Sequence, residues 1–298
     1  MHSIKRNIRH AFSLVELMVV VGVIGLLISL ALPAIQKVRA SAARLTCLSN
    51  LRQIGMSLHN YHVDFGRLPL MSLSNQDLLY SRNPEAIVSW RVSLLPYLDQ
   101  SNLWRDTVNA CQITNETWRN PPHIGLIAMP KVFACPTDDR LEAPNVYMYP
   151  GPIPVTVCFS SYFGVGGGGL WDGVMGMKGT ASRFANITDG MSNTLMVGER
   201  PPPNTFESGQ WYIRGWSIDE SLTMRNANIP GETCTGIMHY GIGKVTNRCD
   251  QYHFWSLHPK GANFLIADGS ARFIPYEAVN IMHELATKSG GEPVALPD

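Results

Sequence analysis

The sequence predicts an α+β fold, a long N-terminal helix followed by a head rich in antiparallel sheet. Three observations carry the prediction. Residues 12–35 form an almost uncharged apolar run. Residues 35–58 repeat apolar side chains at three- and four-residue steps. From Pro121 onward, Pro, Gly and Asn punctuate short apolar runs. The first two patterns are helical, and the third is the rhythm of short strands joined by long loops.

The apolar run comes first in the chain. Residues 1–11 hold Lys5, Arg6 and Arg9 and no acid, and Leu17 to Leu32 carries no charge at all. Phe12 to Ile35 spans 24 residues. As a helix that is about 36 Å, enough to cross about 30 Å of hydrocarbon. The basic leader is expected to stay inside and everything after Ile35 to lie outside.

Three readings compete for this segment. A secretory signal peptide would be shorter and would end in small residues, which Ala40, Ala42 and Ala43 imitate. A plain anchor explains the length but not the acid at Glu16. A carboxylate in an apolar segment costs about 2.5–3.5 kcal/mol on the lenient insertion scale, so it points to a task. The third reading supplies that task.

The stretch AFSLVELMVVVGVIGLLISLALP resembles the class III signal of type IV pilins and type II secretion pseudopilins. The resemblance implies a cut by a prepilin peptidase between Ala11 and Phe12 and methylation of the new N-terminus at Phe12. It makes Pro33 the helix-kinking proline and Glu16 the assembly carboxylate. Ala11 departs from the usual Gly before the cut. The chemistry fits the spacing, because Phe12 would present a cationic amine in or near the membrane. Glu16, one helical turn on, would neutralise the amine of a neighbouring subunit, each charge offsetting the other's desolvation.

After Pro33 the residues Ile35, Val38, Ala42, Leu45, Leu48, Leu51, Ile54 and Leu58 form one stripe, with Lys37, Arg39, Arg44 and Arg52 off it. This predicts an amphipathic helix, ending near Gly66 and Pro69. The expected organisation is a cytoplasmic leader (1–11), a transmembrane helix (12–35), a spine helix (36–66) and an extracytoplasmic head (67–298). A long helix, half in the membrane and half on a head, is what the pilin resemblance implies. The chain would then sit in the inner membrane as a single-pass protein, N-terminus cytoplasmic and head periplasmic or at the cell surface. Its expected partners are the prepilin peptidase, inner-membrane lipid, and other pilin-like subunits or secretion machinery.

In the head, SWRVSLLPYLDQSNLW reads as a helical patch broken by Pro96. KVFACP, the stretch Val155 to Phe159, NTLMVGE, GQWYIRGW and ANFLIADGSARFI read as sheet segments. Asp268-Gly269 between two apolar runs fits a type I′ hairpin turn, which needs positive φ at both central positions. Four pieces in order resemble a large bacterial family of prepilin-type proteins whose C-terminal domain has no assigned function. They are the N-terminal signal, TCLSNLRQIGMSLHNYHVDFGRLP, ITDGMSNTLMVGE and HPKGANFLIADGSARFI. The resemblance implies an exported, membrane-tethered, filament-like or surface protein and no known activity.

Six cysteines in an exported body permit disulfides in many pairings. Cys234 and Cys249 enclose a polar loop, and bridging them would contribute about 3 kcal/mol. A Cys47–Cys135 clip from helix to head and, by elimination, a Cys111–Cys158 pair are the other expected bridges. No C-x-x-C occurs, which speaks against a zinc ribbon or thioredoxin-like site. The glycine run at 164 and 166–169 lacks the G-K-[ST] of a P-loop and reads as a floppy surface loop. His239, His253 and His258 cluster in sequence with Asp250 and Asp268, open to a metal or acid/base role or to plain strand and turn positions. Asp138 and Asp139 are weak calcium candidates against a solvated turn. Trp211 and Trp216 offer a sugar platform against ordinary packing.

Charged residues make up 16 %, with 24 basic against 23 acidic, so no basic stripe suggests nucleic acid. No cofactor is expected, and a structural role is expected rather than an enzymatic one. The alternative is a tethered, lectin-like binding protein that does not polymerise.

Overall fold

The computed structural model describes residues 14–69, 81–149, 153–168, 172–175, 182–214, 221–224, 234, 238–291 and 294–296. The chain divides into two units, residues 1–42 and 43–298. Helix α1 (Leu14–Phe65) begins in the first and ends in the second, running through Pro33 without interruption. It stops where the pattern predicts: Gly66 takes φ +65° and its amide donates to His62 O at 2.8 Å. Only glycine adopts that left-handed conformation without steric cost.

The predicted stripe is covered only over its second half. Ile35, Val38 and Leu45 are exposed, whereas Leu51, Ile54 and Leu58 are fully buried. Cys47, Asn50, Gly55, Ser57 and Tyr61 complete the buried face. Burial of a large aliphatic side chain contributes about 1.5–3 kcal/mol, so this half of α1 belongs to the head's core.

Helix α2 (Pro84–Ile87) precedes the helical patch around Pro96, which comprises α3 (Trp90–Ser93), a 3₁₀ turn over Leu95–Leu98 and the start of α4 (Ser101–Ile113). Ser89 Oγ caps α3 by accepting from the Arg91 amide. KVFACP is not a strand: Lys131–Phe133 is a 3₁₀ turn entered from Pro130. Among its described residues, GQWYIRGW contributes isolated bridges, Phe159 with Gln210 and Val88 with Ile213.

A two-stranded ribbon pairs β1 (Asn145–Tyr149) with β2 (Ile153–Val157). The main sheet contains β3 (Tyr162–Val165), β4 (Leu195–Glu199), β5 (Ser221–Leu222), β6 (Gly261–Ile266) and β7 (Ala271–Pro275), ordered β5-β3-β4-β6-β7. All its pairings are antiparallel except β3 with β5. The architecture is thus α+β, a long N-terminal helix whose C-terminal half packs on an antiparallel, sheet-rich head.

Strand periodicity sorts the core into two layers. Leu265 and Val197 join the cluster containing Leu51, Ile54 and Leu58 of α1. Phe264, Ile266 and Leu195 join the other, with Met282, Leu285 and Ala286 of the terminal helix α5 (Met282–Ala286). A register shift between Leu195 and Val197 lets Met196 and Val197 both enter the α1 cluster, as a bulge does.

The hairpin between β6 and β7 forms, but not through a type I′ turn. Gly269 has φ +87° and Asp268 is not among the residues with positive φ. Gly269 N donates to Ile266 O at 3.0 Å and Ile266 N to Ser270 O at 2.8 Å. This is a turn followed by a left-handed glycine bulge, stabilised as Asp268 Oδ1 accepts from Ser270 N. The glycine run is not a surface loop either, because residues 164–168 are buried and Gly166 N bonds to Leu222 O; Gly169 lies outside the described residues.

Candidate functional site

The N-terminal unit places Glu16 in the first turn of α1. Ala11 and Phe12 lie outside the described residues. From Leu14 to Leu32 the large apolar side chains are exposed, Leu14 at 70 % and Leu30 at 66 %. So much contiguous bare apolar surface marks a face for a membrane or a protein partner. Among the described residues, α1 is the helix long and apolar enough to cross a membrane.

A second candidate lies inside the head. Beyond Val197, the two-residue period puts Glu199 on the α1 face of β4, as it puts Asn263 with Leu265 on β6. The two residues meet there: Asn263 N donates to Glu199 Oε2 at 2.7 Å and Asn263 Nδ2 to Oε1 at 2.9 Å. Glu199 is 1 % exposed, and its Oε1 also faces His258 Nε2 at 3.4 Å. His258 is held by the turn before β6, where its amide donates to Ser256 Oγ at 3.0 Å and Ser256 Oγ donates to Gly261 O at 2.7 Å.

On its other side, His258 Nε2 lies 3.5 Å from Cys135 Sγ, and its Nδ1 lies 3.5 Å from Thr137 Oγ1. Cys135 is bridged to Cys47 of α1 across a Cα–Cα distance of 5.4 Å. The clip is reinforced by Asn50 Nδ2, which donates to Ala134 O at 3.2 Å, and by Ser161 Oγ, which accepts from Cys135 N at 3.0 Å. Four distant segments therefore meet at one buried polar node. Burial and the nearby Glu199 charge push the Tyr162 phenol beside it well above its ordinary range.

A groove of about 840 Å³ reaches the same disulfide from outside, lined by Asn50, Gln53, Met129, Lys131, Cys135 and Asp138 among others. Its volume is that of a small-molecule pocket.

The comparisons follow the two parts of the chain. Residues 6–32 match the profile described as the prokaryotic N-terminal methylation motif. Residues 36–278 match the family described as protein of unknown function, DUF1559. The chain belongs to the DUF1559 family. No curated protein and no solved structure gives a significant match. The methylation motif makes this DUF1559 protein prepilin-like and exported, with one N-terminal apolar helix consistent with a single-pass membrane anchor.

In this DUF1559 protein the anticipated histidine cluster is dispersed. His258 goes to Glu199, His253 Nε2 to Asp250 Oδ1 at 3.1 Å, and His239 Nε2 to Val279 O at 3.0 Å, while Asp268 serves the hairpin turn. Burial would raise the Asp250 carboxyl, but His253 and the Lys244 amide hold it below its ordinary value.

Cys234 and Cys249 are bridged, with Cα atoms 5.5 Å apart. The Cys111–Cys158 pairing needs correction: both are free buried thiols. Burial pushes the Cys111 thiol up to about 12 and raises Cys158 as well, so both behave as small core residues. The calcium reading of Asp138 and Asp139 is also corrected. Both Asp138 oxygens are taken by Arg140, Oδ1 by Nε at 2.7 Å and Oδ2 by Nη2 at 2.5 Å, and the exposed Asp139 opens a 3₁₀ turn. Trp211 is buried, its indole N–H donating to Gly125 O at 2.9 Å, so it is no sugar platform; Trp216 lies outside the described residues.

The sequence reading missed Glu199, Asn263 and Asn50. One signal was present, since Glu199 ends a strand whose neighbours are apolar, and a carboxylate there must find a buried partner.

Proposed function

We propose that this DUF1559 protein is a structural subunit of a membrane-associated, pilin-like assembly rather than an enzyme. It would be cut between Ala11 and Phe12, methylated at Phe12 and held in the inner membrane by residues 12–35, with residues 1–11 cytoplasmic and the head outside. Glu16 would pair with the Phe12 amine of a neighbour as the apolar helices pack, in a surface filament or a secretion pseudopilus. The observation that carries this reading is the methylation motif over residues 6–32, set on a helix with bare apolar flanks and Glu16 in its first turn. A carboxylate at that depth is costly unless a cation meets it.

The test is Glu16→Ala in cells with and without the prepilin peptidase. N-terminal mass spectrometry should find methylated Phe12 in both variant and wild type when the peptidase is present. Cross-linked ladders should be lost in the variant. Normal ladders from Glu16→Ala would refute the pairing, and an uncut Met1 in the presence of the peptidase would refute the processing.

The groove of about 840 Å³ favours a second reading, a tethered binding protein that stays dispersed. Anchored, methylated wild-type protein without ladders would select it.

A further inference from the structure

We propose that Cys47, Cys135, Glu199 and His258 form a structural zinc site when the Cys47–Cys135 bridge is reduced, the metal and the disulfide being alternative occupants of one node. The inference is independent of the assembly reading.

One ligand atom from each of these residues lies within 4.8 Å of every other, and all four residues are buried. The donor set of two thiolates, an imidazole and a carboxylate suits tetrahedral Zn²⁺. Bond lengths of about 2.0–2.3 Å place tetrahedral donor atoms about 3.3–3.8 Å apart. His258 Nε2 stands 3.4 Å from Glu199 Oε1 and 3.5 Å from Cys135 Sγ. Both separations match the edges of such a tetrahedron, and both meet at the same ring nitrogen.

That convergence argues against a nucleophile–base–orienter triad, in which thiol and carboxylate would occupy opposite nitrogens of the ring. It suits ligation, where the Nε2 lone pair and its neighbours aim at one point. The supporting contacts are those a metal site needs. Thr137 Oγ1 stands at Nδ1, where it can accept the N–H of the tautomer that leaves Nε2 free. Asn263 fixes the Glu199 carboxylate through two hydrogen bonds. A void of about 10 Å³ lined by Cys135, Asp138, Ser161, Glu199 and Ser256 adjoins the node, and the large groove gives access at Cys135. Four protein ligands would leave no open position, so the ion would serve structure.

The exchange balances. A protein dithiol gives two electrons to the Cys47–Cys135 bond and becomes a disulfide. The two thiolates bind Zn²⁺, and two protons are released. In reverse, a disulfide oxidant accepts the two electrons and takes up two protons to become two thiols as the Cys47–Cys135 bond re-forms and Zn²⁺ leaves.

The experiment uses the full chain in detergent, in a Cys234→Ser/Cys249→Ser background so that one reducible pair remains. A water-soluble phosphine reduces it without oxygen, becoming phosphine oxide with an oxygen atom taken from water. Zn²⁺ is then titrated against a chromophoric chelator. We expect one ion per reduced chain, none per oxidised chain, release by an added low-molecular-weight disulfide, and at least 100-fold weaker binding in His258→Gln and Glu199→Gln. Because those variants can misfold, Co²⁺ is added to the reduced parent as well. It should show tetrahedral ligand-field bands with thiolate-to-cobalt charge transfer. No stoichiometric binding, binding indifferent to His258 and Glu199 in folded variants, or a cobalt spectrum without thiolate charge transfer would overturn the proposal.

Discussion

Removing the Cys47–Cys135 bridge tests how the head is held to its helix. The bridge spans 88 residues and Cys234–Cys249 only 15. In the chain-entropy account, loops of these lengths correspond to about 4.6 and about 3.0 kcal/mol of stabilisation at 25 °C. The burial pattern widens the gap, because Cys47 is fully buried among Leu51, Phe133 and Tyr162 of one cluster, whereas Cys249 is only half-buried. Cys47→Ala/Cys135→Ala is therefore expected to lose at least about 1.5 kcal/mol more than Cys234→Ala/Cys249→Ala. For a head of this size that is about 3–6 °C in melting midpoint. Melts of the full chain in detergent, with a chelator present, supply the measurement. If the Cys234/Cys249 variant loses as much or more, the reasoning from loop length and burial is wrong.

Three further outcomes are expected. Ile54→Ala should destabilise the head by about 2–5 kcal/mol in denaturant melts, while Leu45→Ala, on a 63 % exposed residue, should stay within about 0.5 kcal/mol; equal losses would contradict the position of α1. Glu199→Gln places an amide against two donors of Asn263 and should cost about 1–3 kcal/mol, and unchanged stability would show that the carboxylate is not needed there. Burial lowers His123 from 6.5, with its backbone partner Thr114 opposing, and also lowers His239. Below pH 6.5 the unfolded chain thus takes up protons that the native head does not. Denaturant midpoints should fall with pH from 6.5 down to the folded values, less steeply in His123→Gln, with Asp250 adding a loss only below 3.8. A flat profile below 6.5 would refute this assignment.

The elements that the sequence revealed are those with a local physical cause. Helix α1 and its end at Gly66 follow from periodicity and from one left-handed residue. Strands β4, β6 and β7 follow from apolar runs bounded by turn residues. The failures have local causes too. KVFACP has the composition of a strand, but its entry from Pro130 winds Lys131–Phe133 into a 3₁₀ turn. Asp268-Gly269 matches the two-residue hairpin signal, yet the turn spends only one positive φ because the loop is longer. His239, His253 and His258 are close in sequence but part to Val279, Asp250 and Glu199, since they belong to separate local elements: the residue before an isolated bridge at Tyr240, the end of the 3₁₀ turn Arg248–Tyr252, and the turn before β6.

The sequence by itself determined the apolar N-terminal helix, the methylation motif and the α+β class. Composition, helical period and a short linear motif act within a few turns of chain, and no distant residue is needed to recognise them. Only the tertiary structure decided that Cys111 and Cys158 remain unbridged, that half of the α1 stripe is bare, and that Cys47, Cys135, Glu199 and His258 share one buried point. Cys135 and His258 lie 123 residues apart. Their meeting depends on sheet register, on the two-residue period of β4 and β6 and on the packing of α1, and each of these is set by the whole core.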